Sequence, residues 1–265
     1  MAKDYADLEQ IQRRVLWLAT RMIDYANNER PNVDGIKVGG HQASSASLVT
    51  VMTALWFKYL KAEDQVSVKP HASPILHAIN YLLGNLDKDY LTKLRSFGGL
   101  QSYPSRTKDP GRIDFSTGSV GLGAAAPLFS GVARRYVDSH FGARSKSKFI
   151  ALIGDAELDE GNIWEAVSDP ATTNLGNVLW IVDFNSAVRG FHRKGVPRIV
   201  TDATIRKVTI VTIGNTLWRV VCIQTTLKCY YFVEIHYPKL NSELCASASI
   251  ISLSLGALTK MLALH

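Results

Sequence analysis

The sequence predicts an α/β fold in which a parallel β-sheet is flanked by helices, and three observations support this. Apolar residues recur at three- and four-residue spacing in the N-terminal half, as in amphipathic helices. Two short apolar runs, residues 149–153 and 178–183, have the length of buried strands. A predicted helix, from Gly161 to about Asp169, separates them. Strand, helix and strand joined by short turns predict a βαβ unit with parallel strands.

Further helices are predicted on either side of a long loop. The first covers the apolar repeat from Leu8 to Tyr25 and ends before Pro31; the second covers about residues 44–60. The third follows Pro74 and stops at Gly84. Residues 96–118 are rich in Gly, Ser and Pro and predict a functional loop. A glycine-rich turn then opens a helix that runs to about residue 140.

The composition favours a soluble globular protein, with 46% hydrophobic and 20% charged residues in a chain of 265. The chain opens with the charged segment MAKDYADLEQ, so we expect no secretory signal and a cytoplasmic location. We also expect no membrane span, because the apolar segment 246–264 carries Lys260 and many serines.

Charge and cysteine content divide the chain near residue 185. Residues 1–185 hold 20 basic and 20 acidic side chains, which leaves 10 basic and 3 acidic side chains for residues 186–265. All three cysteines (Cys222, Cys229 and Cys245) lie in this second part, at spacings that fit no zinc site. We therefore predict a domain of residues 1–187 and an irregular C-terminal tail of residues 188–265. The basic residues of the tail are scattered singly, so we expect no nucleic-acid partner.

Two oxygen-bearing side chains follow the two central strands. Asp155 comes directly after the first predicted strand and Asn185 directly after the second. The carboxyl ends of parallel strands meet at one edge of the sheet, where open α/β sheets bind ligands. Carboxylate and amide oxygens suit Mg²⁺ or Ca²⁺ held together with substrate phosphates. Taken alone, two such residues are more often ordinary loop caps than metal ligands.

The spacing of these residues resembles a known signature. Gly154-Asp155-Ala156, with Asn185 thirty residues after Asp155, resembles the Gly-Asp-Gly…Asn motif of thiamine-diphosphate enzymes. The resemblance is closest to the transketolase group, which includes the homodimeric pyruvate dehydrogenase component. Ala156 departs from the pattern, which has glycine there. The resemblance implies a thiamine-diphosphate-binding fold over about residues 5–185.

Other segments resemble the same family in the same order. Gly40-His41 resembles its early Gly-His motif, and residues 69–74 (KPHASP) resemble its Gly-His-Ala-Ser stretch. Residues 98–104 (GGLQSYP) and 119–123 (SVGLG) are closest to the pyruvate dehydrogenase branch. Motifs in a shared order are more specific than any one of them.

The resemblance implies the following roles. Asp155, Asn185 and the backbone carbonyl of Ala187 would bind Mg²⁺. His41, facing the thiazolium and substrate, and Glu160, near the cofactor relay, would be catalytic. The cofactor-binding residues would be His71, Gly118, Ser119, Val120, Gly121, Gly123, Gly154, Ala156 and Glu157. The acidic run at residues 157–160 is also typical of a solvated helix start.

The function that the resemblance implies is that of a thiamine-diphosphate- and Mg²⁺-dependent pyruvate dehydrogenase-like oxidoreductase component acting on a small 2-oxo acid. Transketolase-type ketol transfer and a catalytically dead truncation product are the alternatives. In this family a Glu on a pyrimidine-binding domain activates the cofactor, and the resemblance ends before such a domain. A homodimer or a partner chain would therefore complete the site.

The tail offers one further hypothesis. Family members continue after the metal-binding Asn with a stretch such as Arg-Gln-Ser-Leu-Asp, whereas this chain continues with Ser186-Ala187-Val188-Arg189-Gly190. Codons exist that encode these five residues in one frame and Arg-Gln-Ser-Val-Asp in another. The tail is thus compatible with a shifted reading frame, and a divergent functional extension is the alternative. A shifted tail would be poorly ordered after about residue 190.

Overall fold

The computed structural model describes residues 2–32, 34–142, 146–173 and 175–184, and the strands 209–213, 216–224 and 229–236. It divides into two compact units. The first takes Met1–Ala62 and Val68–Ser119, and the second takes Glu63–Ser67 and Val120–Leu253.

The first unit is helical. Its helices are α1 (Ala2–Asp24), α2 (Gln42–Ala46), α3 (Val49–Ala54) and α4 (Ser73–Leu82), with π-helical turns at Tyr25–Glu29 and Leu55–Tyr59. One core cluster joins α1 to the loops that follow α4 and comprises Met22, Ile23, Ala26, Leu86, Leu94 and Leu100. The first and third predicted helices are confirmed as α1 and α4. The apolar repeat of α1 forms its buried face.

The second predicted helix is broken. Instead of one helix over residues 44–60, α2 and α3 are separated at Ser47 and Leu48. The hydroxyl of Ser47 donates to the carbonyl of Ser44 at 3.0 Å. Serine side chains that bond to nearby carbonyls compete with the helix ladder, which apolar periodicity alone does not register.

The second unit contains the predicted βαβ arrangement. Its elements are most of β1 (Gln65–Val68), then α5 (Leu122–Phe141), β2 (Phe149–Gly154), α6 (Gly161–Ser168) and β3 (Val178–Phe184). β2 and β3 pair in parallel from Phe149 with Val178 to Gly154 with Asp183. Small and branched side chains of α5 and α6 pack on these strands in one cluster: Ala124, Ala125, Leu128, Ile163 and Ala166 with Ala151, Ile153, Trp180 and Val182. The α/β fold is confirmed.

The sheet continues into the C-terminal part of the chain. Its strand order is β1-β2-β3-β6-β5-β4, with β4 (Thr209–Ile213), β5 (Thr216–Gln224) and β6 (Cys229–His236) in antiparallel pairing. These strands overlap three runs of the tail that are rich in apolar and β-branched residues: 208–213, 220–224 and 230–235. Residues 185–208 and 237–265 lie outside the described residues, so the boundary at 187 and the shifted frame stay predictions. No helix in the described part has the length and apolarity to cross a membrane.

Candidate functional site

The acidic turn (Asp155–Asp159) follows β2 directly and is a short 3₁₀ segment. The Asp155 side chain is buried, and its Oδ1 accepts the N–H of Ala156 at 3.0 Å. Gly154 is the register partner of Asp183 on β3, and Asp183 is fully buried. The carboxyl ends of the two parallel strands therefore bring two buried carboxylates to one edge of the sheet, where ligands bind in open α/β sheets.

Glu157 folds back onto the end of β2. Its Oε1 accepts the N–H of Gly154 at 3.1 Å, and the side chain is buried. Asp159, two residues on, is exposed. The alternative of a fully solvated acidic run is therefore wrong for Glu157, because its carboxylate satisfies a backbone donor inside the turn.

The glycine turn (residues 118–123) meets the start of α6. Gly121 has φ +80, and a Cβ at this position would overlap the side-chain oxygen of Asn162 and lie 3.0 Å from Cβ of Glu160. The Nδ2 of Asn162 donates to the carbonyl of Val120 at 2.8 Å. Gly121 must be glycine for both steric and conformational reasons. Glu160 therefore lies beside Gly121.

The same turn caps α5. The carbonyl of Gly121 accepts the N–H groups of Ala124 and Ala125 at 3.0 and 3.2 Å, and Gly123 is buried in the first helical turn. Val120 stays half exposed. In the first unit, Ser119 ends the preceding loop, and its buried Oγ has no hydrogen-bond partner among the described residues.

The histidine loop (residues 38–41) leads into α2 in the first unit. The N–H of Gly39 donates to Oδ1 of Asn27 at 2.7 Å, and Nδ2 of Asn27 donates to the carbonyl of Gly40 at 3.1 Å. Arg95 donates through Nη1 to the carbonyl of Val38 at 2.8 Å. His41 stands exposed immediately before α2.

The second predicted histidine, His71, lies near several positively charged residues. His71 lies in a 3₁₀ turn (Pro70–Ala72) after the buried Lys69, with its side chain exposed. Partial burial, followed by the positive charges of Lys69, Arg95 and His41, lowers the pKa of His71. The imidazole of His71 is therefore neutral at pH 7, with one N–H donor and one acceptor nitrogen.

The long loop after residue 96 is built around Asp109. The carboxylate of Asp109 accepts the N–H of Gln101 at 2.8 Å and the N–H of Ser105 at 2.7 Å. The hydroxyl of Thr117 donates to the carbonyl of Val68 at 2.8 Å at the far end. Tyr103 is exposed between these anchors. The predicted functional loop is thus an organised segment.

A third histidine, His77, is completely buried in α4. Neither ring nitrogen has a hydrogen-bond partner within the described residues. Burial lowers its pKa to about 4, against a smaller raising effect of Asp109. His77 is therefore a neutral core residue at physiological pH.

Two of the predicted metal ligands, Asn185 and Ala187, lie outside the described residues. Within the part that is described, no group of three or more His, Cys, Asp and Glu side chains is arranged to hold a metal ion. The donors that are present fit the predicted groups by their chemistry. Asp155 supplies a buried hard oxygen ligand, and Ser119 supplies an unpartnered hydroxyl in a glycine turn.

Four residues of these contacts were not identified from the sequence: Asn27, Arg95, Asn162 and Asp183. Asp183 had a usable signal, because a carboxylate at the end of a buried strand is unusual. The others carried none, since Asn162 bonds to Val120 and Arg95 bonds to Val38 across 42 and 57 positions.

Comparisons with known proteins point to one family. A family model described as the thiamine diphosphate binding domain of transketolase matches residues 32–194. The chain is 31% identical over 157 residues to transketolase-like protein 2 of Mus musculus, covering 55% of this chain and 24% of the relative. It is 30% identical over 193 residues to the pyruvate dehydrogenase E1 component of Mycolicibacterium smegmatis, covering 67% of this chain and 20% of the relative.

Solved structures agree on the fold. Transketolase from Leishmania mexicana superposes with a TM-score of 0.57 at 21% identity, over 67% of this chain and 27% of that chain. Transketolase from Campylobacter jejuni gives a TM-score of 0.56 at 21% identity, over 67% and 28% of the two chains. The chain spans about a fifth to a quarter of the length of the curated relatives named above. By the family match it belongs to the transketolase and pyruvate dehydrogenase E1 family, as a thiamine diphosphate binding domain.

Proposed function

We propose that this chain is the diphosphate-binding part of a thiamine-diphosphate-dependent 2-oxo acid dehydrogenase component, and that it binds the cofactor together with Mg²⁺. One observation carries the proposal: the buried carboxylate of Asp155, directly after β2 of a parallel βαβ unit. A diphosphate is strongly anionic, and Mg²⁺ neutralises it while accepting hard oxygen ligands from protein and phosphate.

The proposal assigns a role to each group of predicted site residues. Asp155, Asn185 and the carbonyl of Ala187 would hold Mg²⁺, and the glycine turn would offer N–H groups to phosphate. The exposed Val120 would pack against the aminopyrimidine ring. Neutral His71 would donate its one N–H to an anionic oxygen. When bound, thiamine diphosphate supplies the electron sink for carbanion chemistry.

The extent of the matches supports the proposed substrate class. The Mycolicibacterium smegmatis pyruvate dehydrogenase E1 relative aligns over 193 residues, whereas the mouse transketolase-like relative aligns over 157 residues at nearly the same identity. This supports a 2-oxo acid such as pyruvate as substrate. Ketol transfer is the second candidate, and the 31% identity to the transketolase-like relative favours it.

The metal requirement is tested by calorimetry. We expect thiamine diphosphate to bind in Mg²⁺ and to lose affinity in chelator, and Asp155→Ala to weaken binding by about 100-fold, because the one charged ligand is lost. Asp159→Ala is the matched control: it removes an exposed carboxylate of the same turn and should leave affinity unchanged. Equal affinity in Mg²⁺ and in chelator would disprove the proposed site.

The proposal also predicts what the chain does by itself. The family's pyrimidine-binding domain supplies the Glu that activates the cofactor, and the matched residues 32–194 fall within the diphosphate-binding domain. The purified chain should therefore bind cofactor without decarboxylating pyruvate, measured as CO₂ release. Adding a chain or domain of the pyrimidine-binding type should restore release. Robust turnover by the chain alone would contradict the proposed division of the site.

A further inference from the structure

The histidine loop is fixed at three successive residues by two distant side chains. Asn27 bonds to the N–H of Gly39 and to the carbonyl of Gly40, and Arg95 bonds to the carbonyl of Val38. Loops without such bonds exchange between conformations, whereas a loop held on both sides of its glycines keeps one path. The position at which His41 enters α2 is therefore set by these contacts.

Arg95 also packs against the loop. A Cβ added to Gly40 would lie 3.2 Å from Nη2, 3.3 Å from Nη1 and 3.4 Å from Cζ of Arg95. The three distances are nearly equal, so the guanidinium group lies against the backbone of Gly40. Gly40 itself has φ +84, which only glycine adopts without strain. The loop and the guanidinium group fit each other closely.

The backbone of Arg95 is strained. Its φ of +55 is the single positive value for a non-glycine residue in the part of the chain that the structure describes. This left-handed conformation strains a residue that bears a side chain, and glycine would adopt it without that strain. A tight turn holds it there, with the N–H of Arg95 bonded to the carbonyl of Leu100 at 2.8 Å. A strained arginine where glycine would be easier indicates that the side chain is needed.

Arg95 affects the second histidine, His71, through its positive charge. Burial lowers the pKa of Arg95, but a guanidinium stays charged near pH 7. Its charge lowers the pKa of His71, together with the charges of Lys69 and His41. Arg95 therefore acts on both predicted histidines. It bonds and packs against the backbone of the loop that carries His41, and it acts on His71 through its charge.

We propose that Arg95 is the positioning residue of the histidine loop: it holds the backbone that carries His41 and presents a fixed positive charge to His71. The catalytic role of His41 and the cofactor-binding role of His71 rest on the proposed function. The contacts of Arg95 do not depend on it.

The test uses NMR on the full chain, with Arg95→Met and Arg95→Lys compared with the parent protein. In Arg95→Met we expect the Gly39 amide to exchange about tenfold faster, because the loop loses its bond at Val38. The pKa of His71 should rise, because a nearby positive charge is gone. Arg95→Lys keeps the charge and loses the planar contact, so exchange should quicken while the pKa of His71 stays near its parent value.

Two controls separate positioning from general damage. Arg135→Met removes an arginine that donates to the carbonyls of Thr173 and Ala171 in the second unit, and it should change neither observable. Signals of the buried His77 report whether the first unit stays folded. Arg95→Gly relieves the positive φ, so it should unfold no earlier than Arg95→Met while still loosening the loop.

The possible outcomes are distinct. Unchanged Gly39 exchange and an unchanged His71 pKa in Arg95→Met would overturn the positioning role, and so would the same changes in Arg135→Met. Calorimetry with thiamine diphosphate and Mg²⁺ runs in parallel. If the parent chain fails to bind the cofactor, the proposed function fails while the NMR result for Arg95 stands. If the parent chain binds the cofactor and Arg95→Met changes neither NMR observable, the proposed function stands and the positioning role of Arg95 fails.

Discussion

The histidine loop of the first unit and the acidic turn of the second hold their candidate site residues in different ways. The acidic turn depends on close neighbours: Gly154 bonds to Glu157, and Ala156 bonds to Asp155. The histidine loop depends on Asn27 and Arg95, which lie 12 and 57 positions away from their partners. Hydrogen bonds between sequence neighbours form wherever the strand ends, whereas hydrogen bonds between residues far apart in the sequence require the whole unit to be folded. The first unit should therefore be the more sensitive of the two to substitution.

The largest expected effect compares one glycine from each region. Gly39→Ala would place a Cβ 2.6 Å from the carbonyl oxygen of Ile23, a backbone atom that cannot move aside cheaply. We expect a loss of about 3 kcal/mol in the free energy of unfolding. Gly154→Ala is the counterpart, because its Cβ would meet only Glu157 Oε1 at 3.7 Å, an ordinary contact. It should change stability by less than about 0.5 kcal/mol. Denaturant titration measures the free energy of unfolding of both variants. Equal losses in the two variants would contradict the comparison.

A second prediction concerns acid sensitivity in the first unit. The pKa of His77 falls from 6.5 to about 4 on folding, so the unfolded chain binds a proton that the folded chain refuses. Protons therefore favour unfolding: stability should be unaffected by His77 above pH 6.5 and should fall as the pH drops from 6.5 toward 4. The loss should reach about 3 kcal/mol at the lower limit. Urea titrations at several pH values measure it.

His77→Gln should flatten this pH dependence, whereas His140→Gln, at an exposed position, should not. An unchanged slope in His77→Gln would show that other groups cause the acid sensitivity.

The smallest expected effect concerns the long loop. Asp109→Ala removes the acceptor for the N–H groups of Gln101 and Ser105, and we expect a loss of about 2 kcal/mol. The loop should then become susceptible to limited proteolysis near Tyr103, which is exposed. Asp87→Ala, at another exposed loop position in the same unit, should leave the digestion pattern unchanged. Equal cleavage of the parent and Asp109→Ala would show that Asp109 does not organise the loop.

Much of the fold could be predicted because its signals are local. Period and length identified α1, α4, β2, α6 and β3, and the βαβ order predicted the parallel pairing that the register confirms. The break at Ser47 was missed, since a serine that bonds to its own helix looks like any other serine. Strand β1 was missed because four residues carry too little pattern.

The candidate site shows the same division between local and long-range interactions. By itself the sequence determined where Asp155 stands, because a residue directly after a buried strand must lie at the carboxyl end of the sheet. Only the tertiary structure decided that Glu157 is buried, that Asn162 closes on Val120 and that Arg95 holds the histidine loop. The physical reason is the reach of the interactions. Strand and turn preferences act over a few residues, whereas a side chain that bonds across 42 or 57 positions finds its partner only when packing brings the segments together.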